Sequence, residues 1–273
     1  MNNEIKLIKI LGSGVFLFGE VLRNLRLNAK FKKETADDSI ENNQIALKDK
    51  HRKMIIQQAL SDLEFNGPVH VVFANQFAST MFFSSKGCSA VVYTPPTDDD
   101  PRSDESLYSS AGHEGGHVIH YHAFLKRITV LAMIYGIRSP SSAILLPLLL
   151  LGSVSRLFER DADLTPARKI NTAKYYVEYF SEKFLPFEQS YTPRQRAMMR
   201  LLGPHPMVQA RIDYLKPLIT NDPLPLFKSE RYHQILKERA EEQNRLDFEM
   251  LGYIPKRFPT RTDEEDITNS NTL

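Results

Sequence analysis

The sequence predicts an α+β protein, mainly α, with a small β-sheet beside one helix that carries the chemistry. Three observations lead there. Apolar residues recur at helical spacing from Gln44 to Phe65 and through most of the chain after residue 104. Three short β-branched and aromatic runs lie between Val69 and Tyr93. A Gly112-His113-Glu114-Gly115-Gly116-His117 string then follows, on a segment expected to be helical. At 273 residues and 31.3 kDa the chain buries a substantial core as one main domain. We place that domain at 67–255, before a polar tail at 256–273 and after an N-terminal helical region at 1–66 that is expected either to meet a membrane or to cover the domain's cleft.

Taken in order, Ile5 to Leu22 starts with Lys6 and Lys9 and continues through an apolar run, Ile10 to Phe18. The run is too short to cross a bilayer, and no small-x-small cleavage site precedes Glu20, Arg23 and Arg26. An amphipathic helix is expected, packed on the body or lying on a membrane surface. Lys30 to Asn43 reads as a charged linker. Ile45, Ile55, Ile56, Leu60 and Leu63 mark the helix from Gln44 to Phe65, and Asn66-Gly67-Pro68 stops it. Strands are expected at Val69–Phe73, Ser79–Phe83 and Ala90–Tyr93. Thr94 to Ser103 is a loop rich in proline and aspartate, with Ser103 or Asp104 placed to cap the next helix. Its Asp98-Asp99-Asp100 lacks the glycine and glutamate of a calcium loop and reads as a solvated turn.

Beyond the histidine helix come two apolar runs, Ile128–Gly136 and Ala143–Gly152, the second interrupted by Pro147. Each spans about half a bilayer. They suit core helices, or a hairpin flanked by Lys126 and Arg127 that dips into a membrane, or an oligomer contact. Peripheral membrane contact is therefore expected through 124–154 and 5–22, with a soluble cytoplasmic or periplasmic protein as the alternative. Phe227 to Leu251 is expected to be a helix with a charged face that docks by Ile235, Leu236, Leu246 and Phe248.

Composition excludes some classes. A net charge of +2 from 35 basic and 33 acidic residues, with no RNA-binding or finger motif, gives no basis for nucleic-acid binding. The single cysteine, Cys88, rules out an internal disulfide and reads as a small apolar residue in a strand.

The chemistry lies in the H-E-x-x-H string and in Glu159 and Asp163, the first of which is 42 positions beyond His117. On a helix, His113 and His117 fall one turn apart on the same face, the spacing that brings two imidazoles onto one metal. Hydrolytic zinc takes three protein ligands and leaves a position for water. His113, His117 and Glu159 supply that set, and Glu114 is the base that moves the water proton to the departing amine. Asp163, one turn from Glu159, is placed to fix the tautomer of a ligand imidazole, expected to be His113. His120 and His122 follow closely; with three ligands assigned we read His122 as structural, and His120, on another side of the helix, as structural or exposed.

Asn75-Gln76-Phe77-Ala78, the H-E-x-x-H string, Ser155-Arg156-Leu157-Phe158-Glu159-Arg160-Asp161-Ala162-Asp163 and Gly203-Pro204-His205-Pro206 through Arg211-Ile212 together resemble four signatures of one peptidase family. This is the HtpX and CAAX prenyl protease family of zinc metallopeptidases, with its Oma-type and BepA-type relatives. The resemblance covers about Val69 to Leu215. It implies a zincin-like fold and one Zn2+ on His113, His117 and Glu159. It implies Glu114 as the base, His205 near the carbonyl oxygen of the tetrahedral intermediate, and Asp163 and Arg211 as supports. It also implies a protein or peptide substrate laid along the strand at Phe77, Ala78 and Ser79, with relaxed sequence preference. The activity expected is that of a zinc-dependent endopeptidase. The alternative is an inactive relative acting as a protein- or membrane-binding module. Gly115-Gly116 departs from the family, which commonly has a bulky residue and then a small one there. Two helical glycines leave the helix either loose or packed closely on another backbone.

Overall fold

The computed structural model describes residues 47–84, 87–136 and 140–250, with isolated positions between 18 and 29. The expected Lys30–Asn43 linker and the 256–273 tail lie outside the described residues, as does nearly all of Ile5–Leu22. The chain divides into two compact units, Met1–Tyr232 and His233–Leu273.

In the first unit, α1 (Leu47–Asp62) is the helix expected from its apolar spacing. Met54, Ile55, Ile56, Ala59, Leu60 and Leu63 are all at most 1% exposed, so the core begins ahead of residue 67. Burying each such leucine or isoleucine stabilises by about 1.5–3 kcal/mol. The helix stops because Glu64 takes a left-handed conformation (φ 66°). Phe65 N–H then bonds Leu60 C=O at 3.0 Å and Glu64 N–H bonds Ser61 C=O at 2.8 Å, a pairing that satisfies the last carbonyls.

Three strands follow, β1 (Val69–Phe73), β2 (Ala78–Ser84) and β3 (Gly87–Thr94), in the order β1-β3-β2. β3 is parallel to β1 and antiparallel to β2. The central strand is the most buried, with Ala90, Val91 and Val92 fully covered. Cys88 is half-buried on β3, and burial pushes its thiol pKa up. Among the described residues β2 pairs only with β3, which makes it an edge strand. In the loop after β3, Asp100 is not merely solvated, because buried Arg52 and the neighbouring Arg102 both pair with it, at 2.6 and 2.9 Å.

Helix α2 (Asp104–Ile119) carries the histidine string. Ser103 is its cap, accepting from Ser106 N–H at 3.3 Å, and Asp104 and Glu105 add negative charge to the first turn. After it come α3 (His122–Gly136) and α4 (Pro140–Lys169). The interruption expected at Pro147 does not occur. Losing one backbone hydrogen bond is a small fraction of a 30-residue helix, which runs through the proline and carries both Glu159 and Asp163. Nor is α3 an ordinary core helix. His122 and Met133 are its buried residues among those described, whereas Phe124, Leu125, Ile128 and Tyr135 are exposed. No described helix is long and apolar enough to cross a membrane.

A second cluster of Ala167, Ala173, Tyr176, Phe180, Ile212 and Leu215 joins the end of α4 to α5 (Ala173–Tyr179), a π-helical turn (Phe180–Phe184) and, later in the chain, α8 (Val208–Leu215). Between them lie α6 (Leu185–Gln189) and α7 (Pro193–Leu202). The buried Glu188 carboxylate accepts from the Val208 and Gln209 amides, the second at 3.1 Å, and so fixes the start of α8. The last helix, α9 (Glu230–Met250), forms most of what is described in the second unit. There Ile235 is buried and Leu236 exposed; the side chains of Leu246 and Phe248 lie outside the described residues.

Candidate metal centre

Three donor side chains converge where α2 meets α4. His113 Nε2 and His117 Nε2 are 3.2 Å apart. Glu159 Oε2 is 3.4 Å from the first and Glu159 Oε1 is 3.4 Å from the second. The group of His113, His117 and Glu159 could hold a metal ion. Glu159 is only 5% exposed, so its carboxylate is committed to this cluster rather than to solvent.

The approach of the two helices depends on the paired glycines. A Cβ at Gly116 would lie 2.8 Å from both Cα and O of Ala162, so the backbones of α2 and α4 touch between Glu159 and Asp163. At Gly115 the same atom would meet Cδ1 of Leu63, the residue just past α1, at 2.6 Å. Of the two readings open for Gly115-Gly116, close packing is the one found.

Each imidazole is oriented from behind. His113 Nδ1 donates to Asp163 Oδ1 at 2.9 Å, the pairing expected from the sequence, and this turns Nε2 toward the shared centre. Asp163 is completely buried and fully engaged. Arg211 grips it through Nε to Oδ2 at 2.8 Å and Nη2 to Oδ1 at 2.6 Å, and the Tyr214 hydroxyl donates to Oδ2. The Arg211 guanidinium lies over the Phe180 ring at 4.2 Å. His117 Nδ1 is 2.9 Å from His122 Nδ1, so His122 holds His117 in place rather than adding a ligand. Its ring stacks on Phe158 at 4.4 Å. His120, by contrast, bonds Thr165 on the surface at 2.7 Å.

The electrostatics follow from burial and these partners. For His113, burial opposes a charged ring, but hydrogen bonds to Asp163 and Glu159 outweigh it and the pKa is pushed up to about 10. His122 moves the other way, down to about 3, through burial and the neighbouring rings of His117 and His120. Burial works against the Glu159 and Asp163 carboxylates, yet both stay below the ordinary carboxylate range. Hydrogen bonds from His113, His117 and His205 hold Glu159 there, and His113 and Arg211 hold Asp163.

A cleft of about 370 Å³ opens over the three donors. Phe77, Ala78, Ser79, Glu114, Lys126 and His205 line it together with the three donors. The Ser79 hydroxyl donates to the Glu114 carbonyl at 3.2 Å, which ties the edge strand to the histidine helix. His205 Nδ1 lies 2.9 Å from Glu159 Oε2. All the expected site residues thus meet in one place, with Asp163 and Arg211 behind the cluster. Sequence reading missed Tyr214, although its position three residues after Arg211 puts both on one face of α8. It also missed Tyr176, whose hydroxyl bonds the Ser109 carbonyl and whose ring lies 6.2 Å from that of His113. No family model, curated protein or solved structure matches the chain.

Proposed function

We propose that this chain is a zinc-dependent endopeptidase with a zincin-like site. The observation that carries the proposal is the spacing of the three donors. Tetrahedral zinc with bonds of about 2.0–2.1 Å needs ligand atoms about 3.3–3.4 Å apart; His113 Nε2 and His117 Nε2 lie 3.2 Å apart, and each has one of the two Glu159 carboxylate oxygens at 3.4 Å. Two imidazoles, one carboxylate and an open side toward a cleft form the donor set of a hydrolytic zinc site rather than a closed structural one. A zinc ion there supplies Lewis acidity that polarises a peptide carbonyl and brings the pKa of water near neutrality.

The chain's own residues do the rest. The edge of β2, at Ala78 and Ser79 with Phe77 just before it, binds an extended peptide through main-chain hydrogen bonds beside the cleft. Glu114 takes a proton from the water as its oxygen joins the carbonyl carbon. It then passes that proton to the amine nitrogen as the C–N bond breaks. His205, which lines the cleft, donates toward the carbonyl oxygen as charge builds there. We place the protein at a membrane surface by peripheral contact, supported by exposed Phe124, Leu125 and Ile128 on α3 beside Lys126 and Arg127.

The test is metal analysis of the full chain together with cleavage of casein. About one zinc per chain, lost in His113→Ala, is expected. Glu114→Gln should keep the zinc and lower cleavage by about 10²-fold or more. A zinc-loaded wild type with no activity on any unfolded protein supports the binding-module alternative instead, and a chain that takes up no zinc refutes both the metal and the enzyme.

A further inference from the structure

Helix α7 is built unlike the others. Every residue from Pro193 to Leu202 is exposed, and the helix has no buried side chain. A ten-residue helix is too short to persist alone, and surface helices normally hold on by burying an apolar face. Here both ends are clamped instead. Thr192 and Gln195 form a reciprocal capping box and Pro193 sits in the first turn. At the other end Arg156 of α4 donates through Nη1 to the Gly203 carbonyl at 2.8 Å, which satisfies a terminal acceptor and places positive charge at the helix C-terminus.

The face left uncovered is apolar. Met198 and Leu201 are 53% and 55% exposed, and Leu202 lies beside them on the same side of the helix. Arg196 and Arg200 fall on the opposite side and Arg194 near the start, with no acidic residue anywhere in the helix. The last turn lies against Gly152 of α4, where a Cβ would be 3.3 Å from the Leu202 carbonyl oxygen. Leu150 and Leu157, either side of that contact along α4, are exposed too.

We infer that α7 is a docking helix for a bilayer rich in anionic phospholipid: Met198, Leu201 and Leu202 enter the headgroup boundary while Arg194, Arg196 and Arg200 bind the negative lipid heads. Charge selects this occupant. α7 holds three arginines and no carboxylate, so the same helix of a second copy offers them no counter-charge, whereas an anionic surface neutralises them. The inference stands on α7 alone and does not depend on the metal or on proteolysis.

Flotation of the full chain with vesicles of phosphatidylcholine, with and without about 30% phosphatidylserine, tests it. Binding only to the anionic vesicles is expected, falling about tenfold in Met198→Glu/Leu201→Glu and in Arg194→Glu/Arg200→Glu. All four side chains are exposed, so the variants fold, and unchanged zinc content and circular dichroism check that they have. The inference is overturned if the wild type stays soluble with anionic vesicles, if either double variant binds as the wild type does, or if the Met198 and Leu201 changes only turn a dimer into a monomer.

Discussion

Gly116 and Ala162 meet backbone to backbone, and the candidate metal ligands stand on either side of that contact. A methyl at Gly116 would sit 2.8 Å from two main-chain atoms of Ala162, which cannot swing aside as a side chain can. Gly116→Ala is therefore expected to push α4 off α2 and draw Glu159 away from the histidines. We expect zinc affinity to fall about 10–100-fold with helix content unchanged by circular dichroism. Gly115→Ala meets only the end of the Leu63 side chain and should cost far less. Equal affinities in the two variants would remove this account of the glycine pair.

The Asp163 carboxylate supports the site and the fold together. Asp163→Asn leaves the mostly covered Arg211 guanidinium without its ion-pair partner, and breaking such a pair costs about 3 kcal/mol. Because the folded carboxyl has a depressed pKa, its contribution is complete above the unfolded value of about 4. It is lost as pH falls through the lower folded value. The chelated wild type should thus lose its advantage over Asp163→Asn on acidification, which thermal melts from pH 7 to pH 2.5 would measure.

Zinc uptake should release a proton. His113, raised to about 10, is protonated at neutral pH before a cation arrives, and coordination needs the neutral ring. Calorimetry in buffers of different ionisation enthalpy should give about one proton per zinc. Apparent affinity should rise about tenfold per pH unit between pH 6 and 8.

His122 orients without coordinating. His122→Phe keeps the stack on Phe158 and removes the nitrogen 2.9 Å from His117. Zinc affinity is expected to drop about 10–100-fold while stoichiometry stays at one, measured by competition with a chromophoric chelator.

What could be read from the chain is what lies within one turn of helix or one strand. His113 and His117, Glu159 and Asp163, and the Ser103 cap each depend on local spacing, and the three strands lie where β-branched residues cluster. What could not be read depends on two elements at once. Tyr214 reaches Asp163 only because Glu188 fixes where α8 begins. The contact at Ala162 needs both helices in place. Helix α4 passes through Pro147 because its length outweighs one missing bond. Periodicity finds an apolar face on α7, but it does not say whether protein covers that face.

Among the described residues β2 pairs with β3 alone, and its other side carries a risk. Main-chain amides and carbonyls that welcome any extended guest are equally hospitable to the same strand from a sister molecule. Two such margins zipped together would each block the other's groove. Specific turnover should then decline as protein concentration climbs, and dilution alone should restore it.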